Sequence, residues 1–384
     1  MRYGFAMIST NDQGRLVLVV ASAVSMVLGS IHAFSVFLVP LETAFNTSRA
    51  TASLVYSFSL LFLTLAVLFG PTVYSRLRPS TIYLLVAFLG SSGAGLAGSA
   101  ERLEFVFVGY SLVFGVANGL GYGFGLQFSA RVNPDHPGLA MGVVTAAYAF
   151  GAVLAPYGFE LALTFSGFLS AMLVLGSMVF LVGIAAALLI ACSGAQYSDE
   201  KIELGVHNLP WGRIATIWLA YGTGVAAGLM AIGHAAGIAA TANFPGWIAA
   251  VAIAGCNLLG SLLCGWLSDR VSHRSILAAL ASISALALLA IIIVPALTIP
   301  FLGIVGFAYG GAIASYPAAI AALFPGESGP RAYGLVFTAW GAAGLLAPWP
   351  AGQIFDWAGS YTLALWIAAG LGVISAVSVR TFLR

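Results

Sequence analysis

Long apolar runs follow one another along this chain with only short polar clusters between them, and they leave it few ways to fold. About 20 apolar residues are needed for an α-helix to cross ~30 Å of hydrocarbon. A backbone in lipid must also satisfy its own hydrogen bonds, so helical spans are the natural outcome. Only 7% of the 384 residues are charged and 61% are hydrophobic, too little polar surface to coat a soluble globule. The expected fold class is all-α and integral to a membrane. Cutting at polar clusters and Pro/Gly breaks gives twelve spans, at approximately 16–40, 50–74, 80–99, 103–127, 138–160, 166–192, 212–236, 244–267, 275–296, 298–323, 331–353 and 359–380. The first run follows Arg15 and is far longer than a secretory signal core, so it reads as a span and not as a cleaved leader.

The longest polar connection, SGAQYSDEKIELGVHNLPWGR, carries Asp199, Glu200, the single lysine Lys201 and Glu203, and it lies at the chain midpoint. It divides the chain into an N-terminal six-helix bundle (1–192), a linker (193–211) and a C-terminal six-helix bundle (212–384). Orientation follows from the basic residues. With the N-terminus inside, the cytoplasmic side receives Arg2, Arg15, Arg76, Arg78, Arg131, Lys201, Arg213, Arg270, Arg274, Arg331, Arg380 and Arg384, and the outside only Arg49 and Arg102. Both termini are therefore expected in the cytoplasm, in a multi-pass plasma (inner) membrane protein whose functional unit is a monomer.

A repeat supports the division. TAAYAFGAVLAPY begins at Thr145 and TAWGAAGLLAPW at Thr338; Gly142 and Gly334 stand 192 positions apart, as do Pro156 and Pro348. Half the chain length is 192, so the halves look duplicated. Parallel halves related by an axis along the membrane normal are one way secondary transporters are built. Within the repeat, Tyr148 of the fifth span answers to Trp340 of the eleventh. Pro156 and Pro348 are expected to kink those two spans.

The loop GWLSDRVSHR, Gly265 to Arg274, resembles the loop signature of the major facilitator superfamily. The resemblance implies that Gly265 permits close helix approach while Asp269, Arg270 and Arg274 form a charge clamp on the cytoplasmic side. The first-half copy, GPTVYSRLRPS, keeps Gly70, Arg76 and Arg78 but has Ser75 where the acid belongs. A narrower likeness is carried by GSIHAFSVFLVPL (29–41), Arg49 opening the second span, the glycine-rich fourth span and Asn257 in the eighth. These are similar to the oxalate:formate antiporter and monocarboxylate transporter branch. Three positions depart from that branch: Ser261 stands where those relatives carry arginine, Trp340 where the oxalate transporters carry a lysine, and His32 where an aromatic is usual.

Ionisable groups inside a bilayer are costly unless paired or facing a cavity. Here they are His32 in the first span and His234 in the seventh, equivalent spans that the family resemblance places around a central cavity. Each histidine could carry a coupled proton or meet an anion, or simply bond within the bundle. The further candidates for solute contact are Asn118, Tyr148, Asn257, Ser261, Tyr309 and Trp340, each of which also fits a plain packing role between helices. Asn257 and Ser261 are i and i+4 and share a helix face. Gly115, Gly119 and Gly123 form a small-residue stripe suited to close helix contact.

No G-K-[ST] phosphate loop and no H-E-x-x-H occur, and no metal or other cofactor is implied. Cys192, Cys256 and Cys264 fit neither a disulfide framework nor a zinc site, and a net charge of +2 gives nucleic acid nothing to hold. An enzyme is therefore disfavoured. The partners implied are the lipid bilayer, a small-molecule solute and protons. The leading expectation is a secondary transporter working by alternating access, with the resemblance implying a monocarboxylate-like organic acid. An exporter of neutral, aromatic or amphipathic compounds is the alternative, and a non-transporting membrane sensor is the alternative of another class.

Overall fold

The computed structural model describes residues 10–134, 137–197, 210–268, 270–324 and 328–382. Its order is α1 (Thr10–Leu28), a 3₁₀ stretch Gly29–Phe37, α2 (Leu38–Phe45), α3 (Arg49–Tyr74), α4 (Pro79–Gly98), α5 (Leu103–Val106), a π-helical stretch Phe107–Phe114, α6 (Gly115–Val132), α7 (Pro137–Ser193), α8 (Trp211–Thr241), α9 (Gly246–Ser268), α10 (His273–Ile293), a short 3₁₀ turn Pro295–Leu297, α11 (Thr298–Leu323), α12 (Ser328–Leu346), α13 (Pro348–Ala358) and α14 (Thr362–Phe382). The all-α membrane architecture expected from the apolar runs is what the chain adopts.

Ten helices among the described residues are long and apolar enough to cross a bilayer. One of these, Ala140–Ser193, is really two. The backbone of α7 leaves helical geometry at Ser166 (φ −141°) and Gly167 (φ 61°), and glycine supplies the positive φ that folds the chain back on itself. The eleventh span is not among the ten: it is split into α12 and α13. With those two resolved, the count is consistent with twelve. The helix ends at Val132 and Pro137, Ser193 and Trp211, Ser268 and His273, and Leu323 and Ser328 then share one face with both described chain ends, here called the linker face. Loops near 46, 100, 166, 243, 295 and 360 lie on the opposite face.

The two repeat prolines behave differently. Pro156 sits inside α7 without a local departure from helical φ/ψ. At Pro348 the helix is interrupted: α12 stops at Leu346, Ala347 lies outside it, and Pro348 opens α13. A proline at the first turn lacks only a donor that would be unsatisfied anyway, which is why the restart falls there. The expected kink is thus present in the eleventh span and not in the fifth.

Small residues set the helix spacing. A Cβ at Gly119 would stand 2.2 Å from the Leu63 carbonyl oxygen, and one at Gly115 2.8 Å from that of Ser59, so the fourth-span stripe packs directly on α3 as expected. The same helix α3 lies against the second half: Gly341 faces Thr64, Gly344 faces Leu60, and Gly352 faces Ala50 and Ser53. The midpoint residues Asp199, Glu200, Lys201 and Glu203 lie outside the described residues. Tyr197, just before them, is tucked under the first half, where its hydroxyl donates to Gln127 Oε1 at 2.8 Å.

Candidate functional site

The first span changes winding at its middle. Nine residues, GSIHAFSVF, run as 3₁₀ helix, far beyond the three or four usual for that form, and mid-helix 3₁₀ stretches often mark functional hinges. Close packing accompanies the change. A Cβ at Gly29 would overlap the Tyr148 carbonyl oxygen at 1.8 Å, so the first and fifth spans touch backbone to backbone. At the switch, the Leu28 carbonyl accepts from Asn118 Nδ2 at 2.7 Å, and Asn118 Oδ1 accepts from the Tyr148 hydroxyl at 2.9 Å. This winding carries His32 to the molecular centre.

A cavity of about 50 Å³ opens beside it, room for a few waters or a small solute. His32, Tyr148, Tyr309 and Trp340 line it together with Asn257 and Ser261. Leu63, Tyr122, Thr145, Ala149, Ile313 and Phe337 complete the wall. The His32 ring meets Tyr148 and Trp340 edge-on, with centroids 5.7 and 6.5 Å away. Trp340 donates its indole N–H to the Tyr309 hydroxyl at 2.7 Å and stacks on Phe337. Ser261 donates to the Gly310 carbonyl at 3.1 Å. The duplication partners Tyr148 and Trp340 thus face one solute-sized space from the two halves. Tyr122, Thr145, Ser261, Ile313 and Phe337 all lie on the linker-face side of their helix neighbours, so the cavity extends toward that face.

Two expected contacts lie elsewhere. Asn118 is fully buried behind Tyr148, where it holds that ring and the Leu28 carbonyl. His234 is also fully buried and lines no part of the cavity. Its Nε2 bonds the Pro348 carbonyl at 2.7 Å and its Nδ1 the Tyr361 hydroxyl at 3.1 Å. Pro348 lies at the helix break and Tyr361 just before α14. Tyr56 and Tyr122, in contrast, stand at the site without having been marked by spacing or charge.

On the opposite face a polar cluster joins the halves. Arg49, only 7% exposed, pairs with Glu42 through Nε and Nη2 and gives Nη1–H to the Tyr361 hydroxyl at 2.6 Å. Its guanidinium lies 4.5 Å from the centre of the Phe355 ring. The Asp356 carboxylate accepts from the backbone N–H groups of Arg49 and Ala50 at 2.9 and 2.8 Å. An acid of α13 thereby caps the first turn of α3, where the helix dipole favours negative charge. Tyr157 and Trp247 meet nearby, with ring centroids 5.4 Å apart.

Gly265 is not the point of close helix approach that the resemblance implied. A Cβ on Gly265 would meet nothing nearer than Ala314 at 4.0 Å. The tight approach of α9 to α11 falls instead at Gly260, which has the Phe307 carbonyl oxygen 2.1 Å from a would-be Cβ. Arg270 folds over the Trp266 ring and donates to its carbonyl, and Arg274 donates to the Arg380 carbonyl near the end of α14. Asp269 lies outside the described residues.

The Major Facilitator Superfamily model matches residues 213–384. YhjX of Escherichia coli (strain K12), an uncharacterised MFS-type transporter, is 21% identical over 334 residues, which takes in 82% of this chain and 81% of that one. A bacterial homologue of the human lysosomal transporter Spinster has the same fold. Its inward-facing, occupied form gives a TM-score of 0.71 at 18% identity over 96% of this chain and 94% of that one. Its inward-facing, unoccupied form gives 0.72 at 16% identity over 97% and 95%. The C-terminal half of this chain thus matches that superfamily's model, and the chain as a whole has the fold of the solved transporter. Its long apolar helices mark an integral membrane protein, and the cavity around His32 is lined from both halves of the chain.

Proposed function

We propose that this chain is a transporter of that superfamily, that it moves a small organic acid with a single carboxyl group, and that proton movement accompanies it. The carrying observation is the chemistry of the cavity wall. Tyr148, Tyr309, Asn257, Ser261 and Trp340 give the wall polar but uncharged groups and aromatic edges, and among the described residues no Asp, Glu, Lys or Arg lines the space. A dicarboxylate would bring two charges to a site with no fixed positive partner, a heavy desolvation cost. A monoanion, or its undissociated acid, can be held by neutral donors. His32 is the one histidine at the cavity. Tyr56, Tyr148 and Trp340 face it from α3, α7 and α12, so a proton taken up there would be met by no carboxylate of the protein.

The bundles 1–192 and 212–384 rock about this site, with 193–211 as their tether. The basic residues put the linker face in the cytoplasm of a plasma (inner) membrane protein working as a monomer. The clustered Arg49, Glu42, Asp356, Tyr361 and His234 close the outer face while the cavity reaches inward. A second reading, export of neutral aromatic compounds, draws on Trp340, Tyr148, Tyr122 and Phe337 in the wall. Uptake into proteoliposomes of labelled monocarboxylates, with and without an inward proton gradient, separates the two. Saturable, gradient-stimulated uptake is expected for at least one monocarboxylate. Transport of neutral aromatics alone would replace the organic-acid reading with the exporter.

A further inference from the structure

Tyr56 is fully buried on α3, and its hydroxyl lies 2.8 Å from His32 Nδ1. Among the described residues that nitrogen is the only partner the hydroxyl has. A phenol proton sealed from solvent needs an acceptor, so the hydroxyl donates and Nδ1 accepts. The neutral ring then carries its own proton on Nε2. That nitrogen is not among the buried polar atoms left without a partner, and the ring lines the central cavity. His32 therefore points an N–H donor into the space.

His234 supplies an internal comparison. Its Nε2 faces the Pro348 carbonyl, which can only accept, so Nε2 must hold the proton. Its Nδ1 then accepts from the Tyr361 hydroxyl, which in turn accepts from Arg49. A tyrosine hydroxyl donating to Nδ1 is thus the arrangement at both intramembrane histidines. They differ in what Nε2–H meets: a carbonyl of the protein at His234, open cavity at His32. One other wall group has the same polarity. Tyr309 accepts from Trp340 and so keeps its own O–H free to donate.

We propose that Tyr56 is a positioning residue that holds His32 as the Nε2–H tautomer, so that the cavity recognises its solute through an acceptor oxygen, a carboxylate or a carbonyl. This deepens the organic-acid reading and rests on it for the identity of the solute, but the tautomer can be read without any transport. Imidazole NMR of the isotope-labelled, full-length protein in lipid, with His32 assigned through His32→Gln, should show His32 protonated at Nε2 in the solute-free state. Tyr56→Phe should release it to a mixture of tautomers. In proteoliposomes the same variant should raise KM for propionate about two- to threefold, in proportion to the fraction of the Nε2–H form that remains, with maximal rate little changed. His32→Gln, which keeps an N–H at the cavity, should raise KM less than His32→Leu. Finding His32 protonated at Nδ1, or unchanged in Tyr56→Phe, overturns the proposal. A fixed Nε2–H in a protein that moves no monocarboxylate supports the tautomer assignment and overturns the organic-acid reading alone.

Discussion

His32 and His234 each bond a tyrosine hydroxyl through Nδ1, yet only His32 has its other nitrogen at the cavity. Both occupy spans expected to line the centre, so their difference had to come from local geometry. His234 is engaged on both sides and acts as a strut between α8, the helix break and α14. Replacing it with phenylalanine would orphan the Pro348 carbonyl contact and the Tyr361 hydroxyl, each buried. The expected cost is on the order of 3 kcal/mol in stability, seen as a lowered thermal midpoint in detergent, with KM for the transported solute unchanged. A raised KM at intact stability would return His234 to the solute site. Tyr148 and Trp340 were legible as site residues because the repeat marked them as partners in mid-helix. Asn118 was legible as important but not as a second layer behind Tyr148. Tyr56 was not legible, because nothing in its spacing distinguishes it from the other tyrosines of an apolar chain.

The helices themselves were readable from apolar length to within a few residues, since the bilayer sets that length. Their irregularities were not. The 3₁₀ winding of Gly29–Phe37 and the π-helical stretch Phe107–Phe114 keep the same apolar composition as α-helix, and only tertiary contact selects them. Glycine shows the same limit: Gly142 and Gly151 look alike in sequence and differ entirely in place. A Cβ at Gly151 would come within 1.6 Å of the Met26 carbonyl oxygen, while one at Gly142 or Gly158 would meet nothing within 4 Å. Gly29→Ala and Gly151→Ala should therefore force the first and fifth spans apart, lowering the thermal midpoint by the equivalent of about 3 kcal/mol or more. Gly142→Ala and Gly158→Ala should raise it, since alanine is favoured over glycine in a helix by about 1 kcal/mol. Equal effects at all four positions would mean that the contact between these spans is not what fixes their spacing.

In the rocking motion proposed above, movement breaks some polar contacts between the halves and spares others, and the cluster on the opposite face is divided accordingly. Glu42 and Arg49 both belong to the first half, so their ion pair can travel intact. Asp356 and Tyr361 belong to the second half and lose their first-half donors when that face opens. Because Glu42 stays with Arg49, opening does not leave a buried cation unpaired, a loss that costs about 3–5 kcal/mol when it occurs. What opening does remove is the cap that Asp356 provides to α3, about 1–2 kcal/mol for such contacts. That is enough to bias a two-state equilibrium roughly tenfold and small enough to be reversed by solute binding. Disulfide formation between Tyr157→Cys and Trp247→Cys, whose native rings meet across the halves, reports closure once the three natural cysteines are replaced by serine. Adding Asp356→Ala to that background should slow the cross-link several-fold and increase labelling of the cavity from the opposite face, whereas Glu42→Ala should lower stability as well. An unchanged cross-linking rate in the Asp356 variant would mean that the apolar contacts of α3 with α12 and α13 hold the face shut on their own.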